Sequence, residues 1–180
     1  VGKAAAIFDE KKLRWLNGRF MRELPLDEYT AAVAGRLERE GIAVPDAAEL
    51  RAACAIAQEK AQTLEEVWPL IRFLFEDPVD DPKAWAKVMK EGSRELLEAA
   101  AEALAAAEPF DPEPIEAALA PLLDRFEVKP GRLYQPIRVA ITGSSVSPGI
   151  FESLATLGRE RALDRLKTAA ERLPVAKVDE

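Results

Sequence analysis

Arg138 sits in the middle of the apolar stretch QPIRVAITGSSVSPGIF (135–151), and a hydroxyl-rich turn ending in Ser147-Pro148 follows it. An arginine facing hydroxyls and the free backbone N–H groups of a helix start has the donors with which proteins read unpaired bases. The same pattern also fits the solvated flank of an amphipathic helix in an ordinary core. Other basic and aromatic side chains gather near the start: Lys11, Lys12, Arg14, Trp15, Asn17, Arg19 and Arg22. A second group holds Lys129, Arg132, Tyr134 and Arg138 and continues through Arg159, Arg161, Arg165 and Lys167.

Other chemistries lack their parts. The chain contains no histidine, so it lacks the usual general base near neutral pH and any Ser-His or Cys-His pair. Its single cysteine, Cys54, lies in the apolar run AACAIA and reads as a small buried side chain; no intrachain disulfide or cysteine metal cluster can form. Carboxylates are plentiful, but they fall on helix faces and at caps. GSS at 143–145 is too short for a phosphate loop, and the acids of 76–81 lack the alternation and central glycine of a calcium loop. No catalytic residue, cofactor site or metal site is assigned to this segment.

The elements that must position Arg138 read as helices throughout. Ala, Leu, Glu, Lys and Arg dominate, and no β-branched alternation occurs. Asp9 is placed to cap a helix bearing Leu13, Leu16 and Phe20; Asp27 to cap one running to Arg39, stopped by Gly41; and Asp46 with Glu49 to open a third. Thr63 with Glu66 repeats that device before VWPLIRFLF, where Pro69 predicts a kink or a first turn. EDPVDDP (76–82) carries two prolines and four acids and is taken as the boundary between halves 1–78 and 79–180. Asp81-Pro82 fits a cap and first helical residue, Gly92-Ser93 a break, and Pro121 a kink in the helix begun at Asp111. Lys129-Pro130-Gly131 reads as a turn. Leu133, Ile137, Ala140 and Ile141 then share one face of a helix, with Tyr134, Arg138 and Thr142 on the face beside it. Gly143 ends that helix, Ser147-Pro148 is expected to start the next, Gly158 to stop it, and Pro174 to stop the last. Fold class: all-α.

A net charge of −7 argues against a protein that coats nucleic acid through bulk charge, while leaving room for a local basic patch. No apolar run approaches the roughly 20 residues needed to cross a bilayer. VGKAAAIF is too short for a signal peptide, and the abrupt entry into FDEKKL reads as a piece of a longer polypeptide.

Two segments carry a resemblance. FDEKKLRWLNGRFMRELPLDE (8–28) is similar to the F-D-x-x-K-L-x-W-x-N segment of bacterial glutamyl-tRNA synthetases. GRLYQPIRVAITGSSVSPGIFESLATLGRERALDRL (131–166) resembles the family's long G-x-L-x-Q-P-h-R-x-A-h-T-G segment and its P, F-E and L-G-x-E-R continuation, with h apolar. The order and spacing match, and the middle, 30–128, matches in helical character more than in residues. The resemblance implies a two-part, all-helical anticodon-binding region of the α-helical cage type. Its first part, 1–78, would also contact the tRNA stem, and its second would be 79–180. It further implies a class I glutamate-tRNA ligase in the cytoplasm, whose ATP- and magnesium-dependent catalytic domain is a separate, preceding part of the polypeptide.

Residue by residue, the resemblance assigns Arg138 to the first anticodon base, Ser147 and Pro148 to the middle base, and Ile150 to an apolar contact beside them. It places Lys60 where discriminating enzymes carry the arginine that reads the third base, which separates glutamate tRNA from glutamine tRNA. Lysine gives a point charge in place of a planar fork, so both tRNA(Glu) and tRNA(Gln) stay open as partners. Trp15 is expected in the core, Asn17 to tie a helix end to a neighbouring loop, and Leu133, Ile137, Ile141, Phe151, Leu154 and Leu157 to pack. The rival reading is an acidic, alanine-rich helical module that binds other proteins.

Overall fold

The computed structural model describes residues 9–174. Phe8, which opens the first motif, and the VGKAAAIF start lie outside them. Every regular element among the described residues is a helix, as the composition requires. The chain divides into two compact units between Leu70 and Ile71. The division therefore falls upstream of the acidic stretch that the prolines marked. The physical reason lies in the backbone of 73–81, whose carbonyls at Phe73, Leu74 and Glu76 accept from Arg161 and Arg165, residues of the second unit.

The first unit holds α1 (Glu10–Glu23), α2 (Leu26–Arg39), α3 (Ala47–Ala57) and a 3-10 turn at Leu64–Glu66. Asp9 caps α1 by accepting from the Lys12 N–H at 3.1 Å, and Asp46 caps α3 by accepting from the Ala48 N–H at 2.9 Å. Asp27 is not a cap: Pro25 holds that position, and Asp27 sits in the first turn, where its charge still favours the helix N-terminus. The Thr63 side chain caps nothing, and Glu66 accepts instead from the Gln62 N–H at 2.8 Å. The α2 residues Tyr29, Val33 and Leu37 are buried, as are Leu50, Ala53 and Cys54 on α3, the helix that packs against it.

Asn17 does tie two parts together, donating from Nδ2 to the Gln62 carbonyl at 2.5 Å. Trp15 does not enter the core: it is 56% exposed, and Leu13, Leu16 and Phe20 are exposed beside it on α1. Three-and-four spacing fixes which side chains share a face, but not what covers that face. The short helix α4 (Val67–Ile71), which contains Pro69, runs across the division.

The second unit begins with a 3-10 turn at Arg72–Leu74. It continues through α5 (Pro82–Val88), α6 (Ser93–Ala105), α7 (Pro112–Leu119), α8 (Pro121–Arg125), α9 (Pro130–Thr142), α10 (Ile150–Leu157) and α11 (Arg159–Glu171). Asp81 caps α5 through the Lys83 N–H at 2.9 Å. Gly92, at φ 76°, separates α5 from α6. Pro121 splits the expected kinked helix outright into α7 and α8.

Helix α9 packs on α5, α6 and α11, and α10 packs on α7. Leu133, Ile137 and Ile141 on α9 are fully buried, each contributing about 1.5–3 kcal/mol of apolar transfer. Leu154 and Leu157 are buried as well, while Phe151 is half-buried. No helix among the described residues is long and apolar enough to cross a membrane.

Two Xaa-Pro pairs differ from their sequence reading. Lys129-Pro130 is no turn: Lys129 is the N-cap of α9 and Pro130 its first residue. Ser147-Pro148 is no helix start: α10 begins at Ile150 with Gly149 as its N-cap. Pro fits either place, because its fixed φ suits both a first helical turn and a tight bend. The Ser147 hydroxyl caps no helix, and other partners engage it.

Candidate nucleic-acid interface

Those partners are on α9 and within the turn itself. Arg138 leaves α9 one turn before the helix end, and Gly143, in the left-handed region at φ 75°, turns the chain into the loop 143–149. Thr142 shapes the loop's first bend, donating to the Arg138 carbonyl at 2.8 Å and accepting from the Ser144 N–H at 3.1 Å. The loop then brings Ser147 and Pro148 back against Arg138. Nη1 of Arg138 donates to Ser147 Oγ and, at 2.8 Å, to the Pro148 carbonyl, with a longer approach of 3.4 Å to the Ser147 carbonyl. Ser147 Oγ donates to the Pro148 carbonyl at 2.8 Å.

The arrangement leaves Nε and Nη2 of Arg138 without a partner among the described residues. No carboxylate pairs with this guanidinium there either. Burial alone pulls its pKa below the ordinary arginine value. A half-buried cation with no counter-charge and two spare donors in a planar fork suits an acceptor brought from outside, such as a base edge or a phosphate.

The other expected site residues are placed less openly. Ser147, Pro148 and Ile150 are all buried. Their side chains therefore shape the corner, and the surface there belongs to neighbours that the sequence reading passed over. Ser145, Val146 and Gly149 are exposed on the same loop, Val146 by 54%. An apolar side chain standing in solvent was the available signal at Val146, but the run GSSVSPG hides it among turn residues. Lys60 belongs to the first unit, exposed on the turn after α3, where its N–H donates to the Ala57 carbonyl at 2.9 Å.

Much of the basic cluster is spoken for. Arg132 donates to Ser93 Oγ at 2.8 Å and to the Glu91 carbonyl, and Arg159 to the Ala107 carbonyl and the Glu108 carboxylate. Arg161 donates to the Leu74 carbonyl at 2.6 Å, and Arg14 pairs with Glu66. Lys129 and Lys167 remain exposed. Among the described residues no three His, Cys, Asp or Glu side chains stand together to hold a metal ion.

Residues 21–170 match the profile of the family described as "Anticodon binding domain". The chain belongs to that family. This anticodon binding domain is 41% identical over 183 residues to the glutamate–tRNA ligase of Salinispora arenicola, with 97% of the chain and 39% of the relative covered. It is 39% identical over 188 residues to that of Thermobifida fusca, covering 98% of the chain and 38% of the relative. The chain thus spans under half the length of the curated relatives it matches. The crystal structure of a glutamate tRNA ligase from Elizabethkingia meningosepticum shares its fold, with a TM-score of 0.77 at 22% identity, covering 97% of the chain and 34% of that structure.

Proposed function

We propose that this anticodon binding domain reads the anticodon of tRNA(Glu) on behalf of a class I glutamate-tRNA ligase. The observation that carries the reading is the Arg138 guanidinium: it is held by Ser147 and Pro148 on one edge and offers Nε and Nη2 on the other. Arg138 would donate to the first anticodon base. The Ser147-Pro148 corner would set the direction of that fork and meet the middle base, chiefly through its backbone. Ile150 would support the corner from beneath, and Val146 would lie against the splayed nucleotides. Lys60 would meet the third base as a single charge, so tRNA(Gln) stays a candidate second substrate. Exposed lysines such as Lys129 and Lys167 would hold phosphates and fix the register without reading sequence.

Activation of glutamate, with its ATP and magnesium, would belong to the remaining polypeptide, while residues 1–78 of this chain would also touch the tRNA stem. The setting would be the cytoplasm. Gel shifts of the full-length ligase with glutamate tRNA, glutamine tRNA and their third-base swaps test this function. Binding should demand the glutamate anticodon loop and weaken steeply with salt. Equal binding to a tRNA whose anticodon loop has been replaced would refute the reading and favour a protein-binding module.

A further inference from the structure

Arg165 leaves α11 for the interior of the second unit and is 9% exposed. Its Nη1 donates to the Phe73 carbonyl at 2.7 Å and the Ile141 carbonyl at 2.8 Å, and its Nη2 donates to the Glu76 carbonyl at 3.0 Å. None of the ion pairs among the described residues includes it. A guanidinium taken out of water whose two terminal nitrogens donate to main-chain carbonyls fastens backbone to backbone, with the Asp77 and Asp164 charges near enough to favour it.

The pieces it fastens bear on the anticodon corner. Ile141 lies in the last turn of α9, where carbonyls have no partner within the helix. Phe73 and Glu76 belong to the segment that enters the unit. Farther along that segment the Asp81 N–H donates to the Gly143 carbonyl at 2.8 Å. The Val79 backbone presses so closely on Gly143 that a Cβ there would stand 2.6 Å from the Val79 carbonyl carbon. Segment 73–81 is therefore strapped across the end of α9 at two points, and Arg165 makes one of them. One residue beyond Ile141, Thr142 holds the Arg138 carbonyl and Ser144; Ser144 Oγ accepts from the Val146 N–H at 3.1 Å; Ser147 comes next.

We propose that Arg165 is a positioning residue for anticodon reading: by clamping Ile141 to Phe73 and Glu76, it fixes the loop that aims Arg138 from the Ser147-Pro148 corner. The inference rests on the proposed function and deepens it. Arg165 touches no base and acts through the α9 terminus. Lysine at this place keeps the charge but delivers it at a point, and cannot hold the Phe73–Ile141 pair and Glu76 together as a planar fork does.

The test uses the full-length ligase, comparing wild type, Arg165→Lys and Arg138→Ala. Each is assayed by kcat/KM with glutamate tRNA and with the same tRNA altered at its first anticodon base. Arg165→Lys, with a cooperative melt, should lose discrimination about tenfold and approach Arg138→Ala, with its salt slope unchanged. A merely structural role would lower both tRNAs alike and leave their ratio at the wild-type value, which overturns the inference. If Arg138→Ala itself keeps full discrimination, the reading of the site fails and the inference falls with it. Should Arg165→Lys not fold, Thr142→Val severs the next link in the same run of bonds, and unchanged discrimination in that variant overturns the inference.

Discussion

Gly143→Ala should be among the most damaging single-methyl additions to the second unit. Gly143 sits at φ 75°, where a Cβ costs about 1–2 kcal/mol against its own backbone. The added carbon would also stand 2.6 Å from the Val79 carbonyl carbon and 3.1 Å from the Asp80 nitrogen, and both are main-chain atoms. Reaching the roughly 3.5 Å at which carbons attract needs a retreat of about 1 Å by the strap. Overpacking of this kind costs about 1–3 kcal/mol. The bond from the Asp81 N–H to the Gly143 carbonyl would be strained by the same movement, at about 1 kcal/mol. The sum is about 3–6 kcal/mol. Gly92→Ala is the control, because Gly92 has φ 76° and its nearest outside atom is the end of the flexible Arg132 side chain, 3.8 Å away. It should cost only the backbone share, about 1–2 kcal/mol. Urea unfolding of both variants, followed by circular dichroism, measures the difference. Equal losses at the two glycines would refute the strap across the end of α9.

Two further predictions concern the core of the first unit. Burial drives the Cys54 thiol up from an ordinary 9 to about 11, against a smaller lowering by the Thr30 hydroxyl. The fold favours the neutral thiol, so its contribution is complete below about pH 9 and is lost as pH rises through about 11, a change of about 3 kcal/mol. Urea midpoints across that range should fall, thiol labelling should wait on unfolding, and a midpoint independent of pH would contradict the burial. Tyr29→Phe should be neutral or stabilising by about 1 kcal/mol, since the Tyr29 hydroxyl is buried without a hydrogen-bond partner among the described residues. A clear loss of stability would show that the hydroxyl is bonded after all.

The helices were legible where one side chain settles a local question. Asp9, Asp46 and Asp81 each accept a backbone N–H of the first turn, and Gly143 and Gly158 sit at positive φ where helices end. The two misplaced Xaa-Pro pairs show the limit of that grammar. Nothing near Lys129 in sequence says that it caps α9, and nothing near Ser147 says that its hydroxyl accepts from Arg138, nine residues away, while α10 starts at Ile150. Trp15, expected in the core as a large aromatic, stands exposed, and so do Leu13, Leu16 and Phe20, whose spacing on α1 is silent about what lies opposite. The division at Leu70–Ile71 depends on arginines of α11 that bind main-chain carbonyls of 73–76. Any residue presents a carbonyl, so such a bond leaves no trace in the sequence of the acceptor segment. The same holds for Arg165, which the sequence grouped with RNA-facing arginines and the fold turns inward.

The central claim is that the free edge of Arg138 reads a base, and one ratio tests it most directly. Arg138→Ala in the full-length ligase is compared with wild type by kcat/KM on glutamate tRNA and on its first-base variant. Losing a single base contact of about 1–3 kcal/mol predicts a fall in that discrimination of roughly 5- to 150-fold, with binding through phosphates retained. A variant that separates the two tRNAs as well as wild type would contradict the account.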